Sequence, residues 1–215
     1  MNADKRLIVL DMDSTFIKEE VIDLLAERAG VGIQVAQITE RSMRGELDFR
    51  ESLSERVALL AGLPETIFED VRRNIHLSHG VNEMIAQVHE HDGFVAVVSG
   101  GFINVIEPIL KEAQVDFYRA NTLEISEGLL TGRVIEPVID RAAKAEFLAD
   151  LAEKLQIPLP LTVAVGDGAN DLGMMEIAGT SVAFNAKTIV AEYADIVITD
   201  GDLTKVSDYL YKRQA

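Results

Sequence analysis

The chain has 215 residues, no cysteine, 48% hydrophobic residues and a formal net charge of −16 at pH 7. Its length and apolar content are enough for a substantial core in one domain, or in one domain with an insertion, while the missing cysteines exclude disulfides, thiolate nucleophiles and Cys-type zinc sites. The acidity excludes an extended nucleic-acid surface, which needs clustered Lys and Arg, but not a small anion held by a local Lys, Arg and divalent cation.

A polar start, Met1 to Lys5, leads into RLIVL at 6–10, an apolar run far too short for a membrane span. No signal-peptide pattern opens the chain, so the expectation is a cytoplasmic protein, monomer or homodimer, with no membrane partner. The strand predicted at 6–10 ends in Asp11-Met12-Asp13-Ser14-Thr15. From 16 to 76 only helical signals appear, with turns at Gly30, Gly45 and Gly62-Leu63-Pro64. A helix at 81–91 precedes FVAVV at 94–98, and a helix at 102–113 contains Pro108, expected to kink or end it. Residues 120–137 alternate apolar and polar around Glu127-Gly128, as in a hairpin. A helix at 142–155, LTVAV at 161–165, a helix at 171–178, SVAF at 181–184, DIVI at 195–198 and a helix at 202–211 complete the series. This alternation predicts an α/β fold, a doubly wound parallel sheet. Residues 1–15 and 77–215 would form the core, 16–76 an inserted helical cap and 120–137 a small β-hairpin flap.

Ligands of open parallel sheets bind beyond the carboxyl ends of the strands. Here the first run ends in Asp11 and Asp13, the second in Ser99-Gly100-Gly101 and the third in Gly166-Asp167-Gly168-Ala169-Asn170-Asp171. Taken alone, an Asp-x-Asp can merely turn the chain. With the Gly-Asp-Gly-x-Asn-Asp run beside it, Asp11, Asp13 and Asp167 would repel one another unless a hard cation such as Mg²⁺ sits among them. Ser99 and Gly100 could donate to phosphoryl oxygens or simply form a turn. Lys144 comes four residues after Asp140, which spacing alone does not distinguish from an exposed helical lysine.

Two charges fall on apolar stripes of the cap. In a helix at 16–29, Glu20 shares a face with Ile17 and Leu24, and in one at 48–61, Arg56 shares a face with Phe49, Leu53 and Leu60. They either pair with each other or hold the ammonium and carboxylate of one zwitterionic ligand, a task that suits Arg. Met43, on the residues alone, reads as core filler rather than ligand contact. The His76/His79 and His89/His91 pairs lack the shared face and third ligand of a metal site and are expected to be solvated or capping.

These motifs resemble those of the haloacid dehalogenase (HAD) superfamily of aspartate-nucleophile phosphohydrolases. DMDST, VVSGG, Lys144 and GDGANDLGMM match its four motifs in order, and SMRGELDFRESLSERV at 42–57 resembles the cap of its phosphoserine phosphatases. Met12 departs from the usual Phe. The resemblance implies a HAD-like Rossmannoid core and hydrolysis of phosphoserine, the last step of serine biosynthesis. It makes Asp11 the nucleophile and Asp13 the acid/base, with Mg²⁺ on Asp11, the Asp13 backbone carbonyl and Asp167. Ser99, Gly100 and Lys144 would hold the phosphoryl group, Asn170 would bond substrate or Lys144, Asp171 would orient metal waters, and Glu20, Met43, Phe49 and Arg56 would enclose the serine end.

Three rival expectations remain: a related phosphatase or phosphotransferase for phosphohomoserine or histidinol phosphate, a phospho-accepting signalling switch, and a non-catalytic metal-binding module. An uncharged or basic alcohol would leave Arg56 unpaired, and a switch has no use for an acid/base at Asp13.

Overall fold

A computed structural model describes residues 5–211. Seven strands form one sheet in the order β4-β3-β2-β1-β5-β6-β7: β1 (Leu7–Leu10), β2 (Phe94–Phe102), β3 (Phe117–Ser126), β4 (Leu129–Ile135), β5 (Thr162–Gly166), β6 (Thr180–Phe184) and β7 (Ile196–Ile198). All neighbours are parallel except β3 and β4, which form the expected hairpin through Glu127 and Gly128, both at positive φ as a tight two-residue turn requires. The chain steps outward from β1 through β2 to β3, then returns to the other side of β1 with β5. The switch point therefore lies at the carboxyl end of β1.

Alternation along the strands sorts the core into two layers. Ile8, Leu10, Val95, Val97, Val163 and Val165 face one buried cluster, while Leu7, Val9, Ala96, Val98 and Ala164 face the other. Both faces are covered, which is why β1 reads as an unbroken apolar run. One layer carries α5 (Val81–Glu90), α6 (Ile103–Glu112) and α10 (Thr204–Tyr211), and the other carries α7 (Arg141–Lys154), α8 (Leu172–Ile177) and the short α9 (Thr188–Ala191), which sequence patterning missed.

Between β1 and α5 lie α1 (Val21–Ala29), α2 (Gly32–Met43), α3 (Phe49–Ala58) and α4 (Ile67–Arg72). The chain enters and leaves this helical cap side by side, with Ile17 bridging antiparallel to Leu77 and Lys18 N–H donating to His76 O at 3.0 Å. The first helix starts later than its periodicity predicts. Residues 12–16 form a wide turn in which Ser14 takes φ 56°, and Glu20 is the N-cap of α1 rather than an interior position. Pro108 does not end α6. It removes the donor that would have reached Asn104 O, and the Arg72 guanidinium donates to that carbonyl instead, at 3.2 Å. Among the described residues no helix is long and apolar enough to cross a membrane.

Candidate active site

Asp11 sits one residue beyond β1, its N–H still paired to Val165 O of β5 at 2.9 Å. Its Oδ1 accepts from Met12 N–H and from Lys144 Nζ, both at 2.7 Å. Lys144 is not an exposed helical lysine. Asp140 caps α7 through Ala143 N–H at 3.0 Å, which sets Lys144 one turn in, and its ammonium is buried between Asp11 and Asp171, 2.7 Å from each. Asp171 also accepts from Gly168 N–H at 3.1 Å. Carboxylate oxygens of Asp11, Asp167 and Asp171 lie within 4.8 Å of one another.

Asp13 turns back from the same loop to accept from Val21 N–H, the first residue of α1, at 3.2 Å. The bulge near the end of β2 makes room for it, because a Cβ at Gly101 would stand only 2.7 Å from Asp13 Oδ2. Ser99 is fully buried, and its Oγ accepts from Gly101 N–H at 2.8 Å.

The opposite wall comes from the cap. Asp48 and Glu51 form a reciprocal capping box at the start of α3, which holds Phe49 at the first helical position, over Gly100. A Cβ on Gly100 would lie 3.2 Å from Phe49 Cζ. Two turns further along the same face, Arg56 is half-buried, with its Nε donating to Ser52 O at 3.2 Å and no salt bridge among the described residues. Glu20 is held by Ser14 Oγ at 2.7 Å, so the two inward charges of the cap do not neutralise each other. A cavity of about 340 Å³ is lined by Asp11, Asp13, Glu20, Met43, Phe49, Arg56, Gly100, Asp167 and Asn170. Ser99 and Lys144 lie behind its floor. Met43 is 69% exposed at the rim and is no core filler.

The charges are frustrated. Burial, then Asp171 and Asp167, push Asp11 up to about 8 against the pull of Lys144. Burial, then Glu20 and Asp11, hold Asp13 well above the ordinary carboxylate range despite the Val21 N–H. Asp167 is pushed up to about 6 by burial, Asp171 and Glu20. Burial draws Lys144 down, but Asp11 and Asp171 outweigh it and raise it. Arg56 is lowered by burial, with Asp23, Glu20 and Asp13 resisting.

The carboxylate trio that converges contains Asp171 rather than the side chain of Asp13. Sequence reasoning also passed over Lys187, which lines the cavity, although the signal was present: Asn185-Ala186-Lys187 comes after β6 just as the other motifs come after their strands. The histidines stay apart from the site. His76 pairs with Glu19, His79 with Asp202 and His89 with Asp116, while His91 bonds Gln87 O and stacks on Tyr211.

The profile of haloacid dehalogenase-like hydrolases matches residues 8–176. The chain is 49% identical over 210 residues to a phosphoserine phosphatase of Streptococcus thermophilus, covering 98% of each. The chain belongs to the phosphoserine phosphatase family. A longer member from Mycobacterium tuberculosis is 52% identical over 191 residues, 89% of this chain and 47% of that one. Two solved phosphoserine phosphatase structures superpose with a TM-score of 0.89 over 95% of this chain and 98% of theirs, one a phospho-aspartyl intermediate analogue at 42% identity and one a substrate-bound complex at 41%.

Proposed function

We propose that the protein hydrolyses O-phospho-L-serine to L-serine and phosphate through an aspartyl-phosphate on Asp11. The observation that carries this reading is one cavity with Asp11 and Asp13 at its base and two cap charges of opposite sign, Glu20 and Arg56, that do not pair with each other. A phosphoryl group satisfies the base, and the ammonium and carboxylate of an amino acid satisfy the two charges. Histidinol phosphate would leave Arg56 unpaired, whereas phosphohomoserine adds a methylene, worth about 1–3 kcal/mol of discrimination in a shaped pocket.

Asp11 Oδ attacks phosphorus as the bond to the serine oxygen breaks. Asp13, kept protonated by its surroundings, gives its proton to that oxygen, then as a carboxylate takes one from the water that attacks the acyl-phosphate and frees Asp11. Lys144, Ser99 and the Gly100 N–H hold the equatorial oxygens, with Asn170 at their side. Glu20, Arg56, Met43 and Phe49 enclose the serine end, and residues 16–76 act as a lid over the core formed by 1–15 and 77–215.

The donor set fits Mg²⁺. Five carboxylates (Asp11, Asp13, Glu20, Asp167 and Asp171) face three cations (Arg56, Lys144 and Lys187), and a phosphate dianion would add to the excess. The oxygens that converge are hard donors of the kind Mg²⁺ prefers. Asp11, Asp167 and the Asp13 main-chain carbonyl would hold it with Asp171 alongside, and when bound it supplies the charge that lets a carboxylate approach a phosphate. This reading places the protein in the cytoplasm, as a monomer or homodimer, at the last step of serine biosynthesis.

The test is phosphate release from L-phosphoserine, phosphothreonine, phosphohomoserine and histidinol phosphate, with Mg²⁺ and with EDTA. Turnover that needs Mg²⁺ and favours phosphoserine is expected. Equal rates on all four would reduce the reading to an unselective monoester phosphatase.

A further inference from the structure

Near its carboxyl end, β2 bulges out of the sheet ladder where the phosphoryl group would bind. Ser99 pairs with Ala120 and Phe102 with Asn121, so Gly100 and Gly101 are looped out between adjacent residues of β3. A looped-out backbone needs another partner for its polar groups. Gly100 O finds one in Asn121, whose Nδ2 donates to it at 2.8 Å, while Asn121 Oδ1 accepts from Ile139 N–H at 2.7 Å. Asn121 is fully buried, so its amide serves these two strands of backbone from a place water does not reach.

The segment at Ile139 matters because it leads directly into α7. Asp140 is the N-cap of that helix and fixes the turn that carries Lys144. Asn121 thus links the Gly100 loop to the lead-in of the Lys144 helix, two elements that meet the phosphoryl group from different strands. We propose that Asn121 is a positioning residue for the reaction: its amide sets the distance between the Gly100 backbone and Lys144, and so the shape of the phosphoryl cradle. The proposal rests on the phosphatase reading and adds to it a residue that touches neither substrate nor Asp11.

The molecule supplies its own control. Asn104 makes the same kind of two-way bridge further along β3, accepting from Leu123 N–H at 2.8 Å and donating to Leu123 O at 3.3 Å, but it joins α6 to β3 and reaches no cavity-lining residue. Asn121→Ala, Asn121→Asp and Asn104→Ala would be compared for melting temperature and for kcat and KM on L-phosphoserine with Mg²⁺. Asn121→Asp keeps the acceptor for Ile139 and replaces the donor to Gly100 O with a second acceptor.

Both Asn121 variants are expected to lose kcat by about tenfold or more with KM changed by less than about threefold, whereas Asn104→Ala, even if it melts earlier, keeps kcat within about twofold. Equal kcat in the Asn121 and Asn104 variants would overturn the proposal. So would failure of both Asn121 variants to fold beside a folded, active Asn104→Ala, since Asn121 would then serve stability alone. Absence of wild-type turnover would instead strike the phosphatase reading itself.

Discussion

Lys144 Nζ stands 2.7 Å from Asp11 Oδ1, the ammonium buried and the carboxylate open only to the cavity. The lysine is the cation that allows Asp11 and Asp171 to share a buried site, and removing one partner of such a cluster leaves charge without compensation.

Lys144→Met should therefore destabilise the metal-free protein by about 3–5 kcal/mol, measured by urea unfolding in EDTA. Mg²⁺ should recover part of that loss, because a divalent ion relieves the same repulsion, while turnover stays abolished. A loss of stability unaffected by Mg²⁺ would mean that the metal does not reach this cluster.

The pH dependence comes from the raised carboxyls. Asp11 at about 8 and Asp167 at about 6 bind protons in the folded state that the unfolded chain, with carboxyls near 3.8, has released. The folded state holds more protons between those values, so metal-free stability is greatest at low pH within this window and declines as pH rises from 5 to 8. Melting curves in EDTA at pH 5 and pH 8 should show the decline. Mg²⁺ should stabilise more at pH 8, where the carboxylates are ionised. Asp11→Asn should flatten the metal-free dependence and abolish turnover in a folded protein. Retained activity would mean that water attacks phosphorus directly.

Arg56 is half-buried, and burial lowers it against the support of Asp23, Glu20 and Asp13, none of which forms a salt bridge with it among the described residues. Arg56→Ala should raise KM for phosphoserine about 10- to 100-fold, the cost of one charge-assisted pair, and leave an aryl phosphate nearly unaffected. Arg56→Lys should recover little, since an ammonium does not reproduce the planar two-pronged grip on a carboxylate. Steady-state kinetics on the two substrates separate this role from a structural one, which would lower both alike.

The sheet and the base of the site were legible because apolar runs stop abruptly at polar residues: RLIVL at Asp11, FVAVV at Ser99 and LTVAV at Asp167. Parallel strands buried on both faces leave few other readings for such runs. What periodicity got wrong was local. It puts Glu20 at an interior helical position, whereas Glu20 reaches the cavity as an N-cap, after a turn that depends on Ser14 at φ 56°. Long-range facts were invisible. That Lys144 is buried depends on Asp171 arriving from another strand, and the importance of Asn121 depends on a bulge in the strand beside it. Capping-box spacing from Asp48 to Glu51 was in the sequence, yet only the packed molecule showed that it holds Phe49 above Gly100.

The central place of β1 in the sheet has a consequence for how the chain comes to life on the ribosome. Asp11 follows the first strand in chain order, but one of the strands that flank β1, β5, is the fifth, after both the helices α1 to α4 and the β3-β4 hairpin. Until it arrives, Asp11 has neither Asp167 nor Asp171 beside it, and half of the hydrogen-bonding edge of β1 has no parallel neighbour. Closing so long a sequence separation is slow compared with forming helices, so α1 to α4 can coil early while the site they cover waits for β5. A product cut short before β5 would carry α1 to α4 and Asp11 without the carboxylates that complete the site.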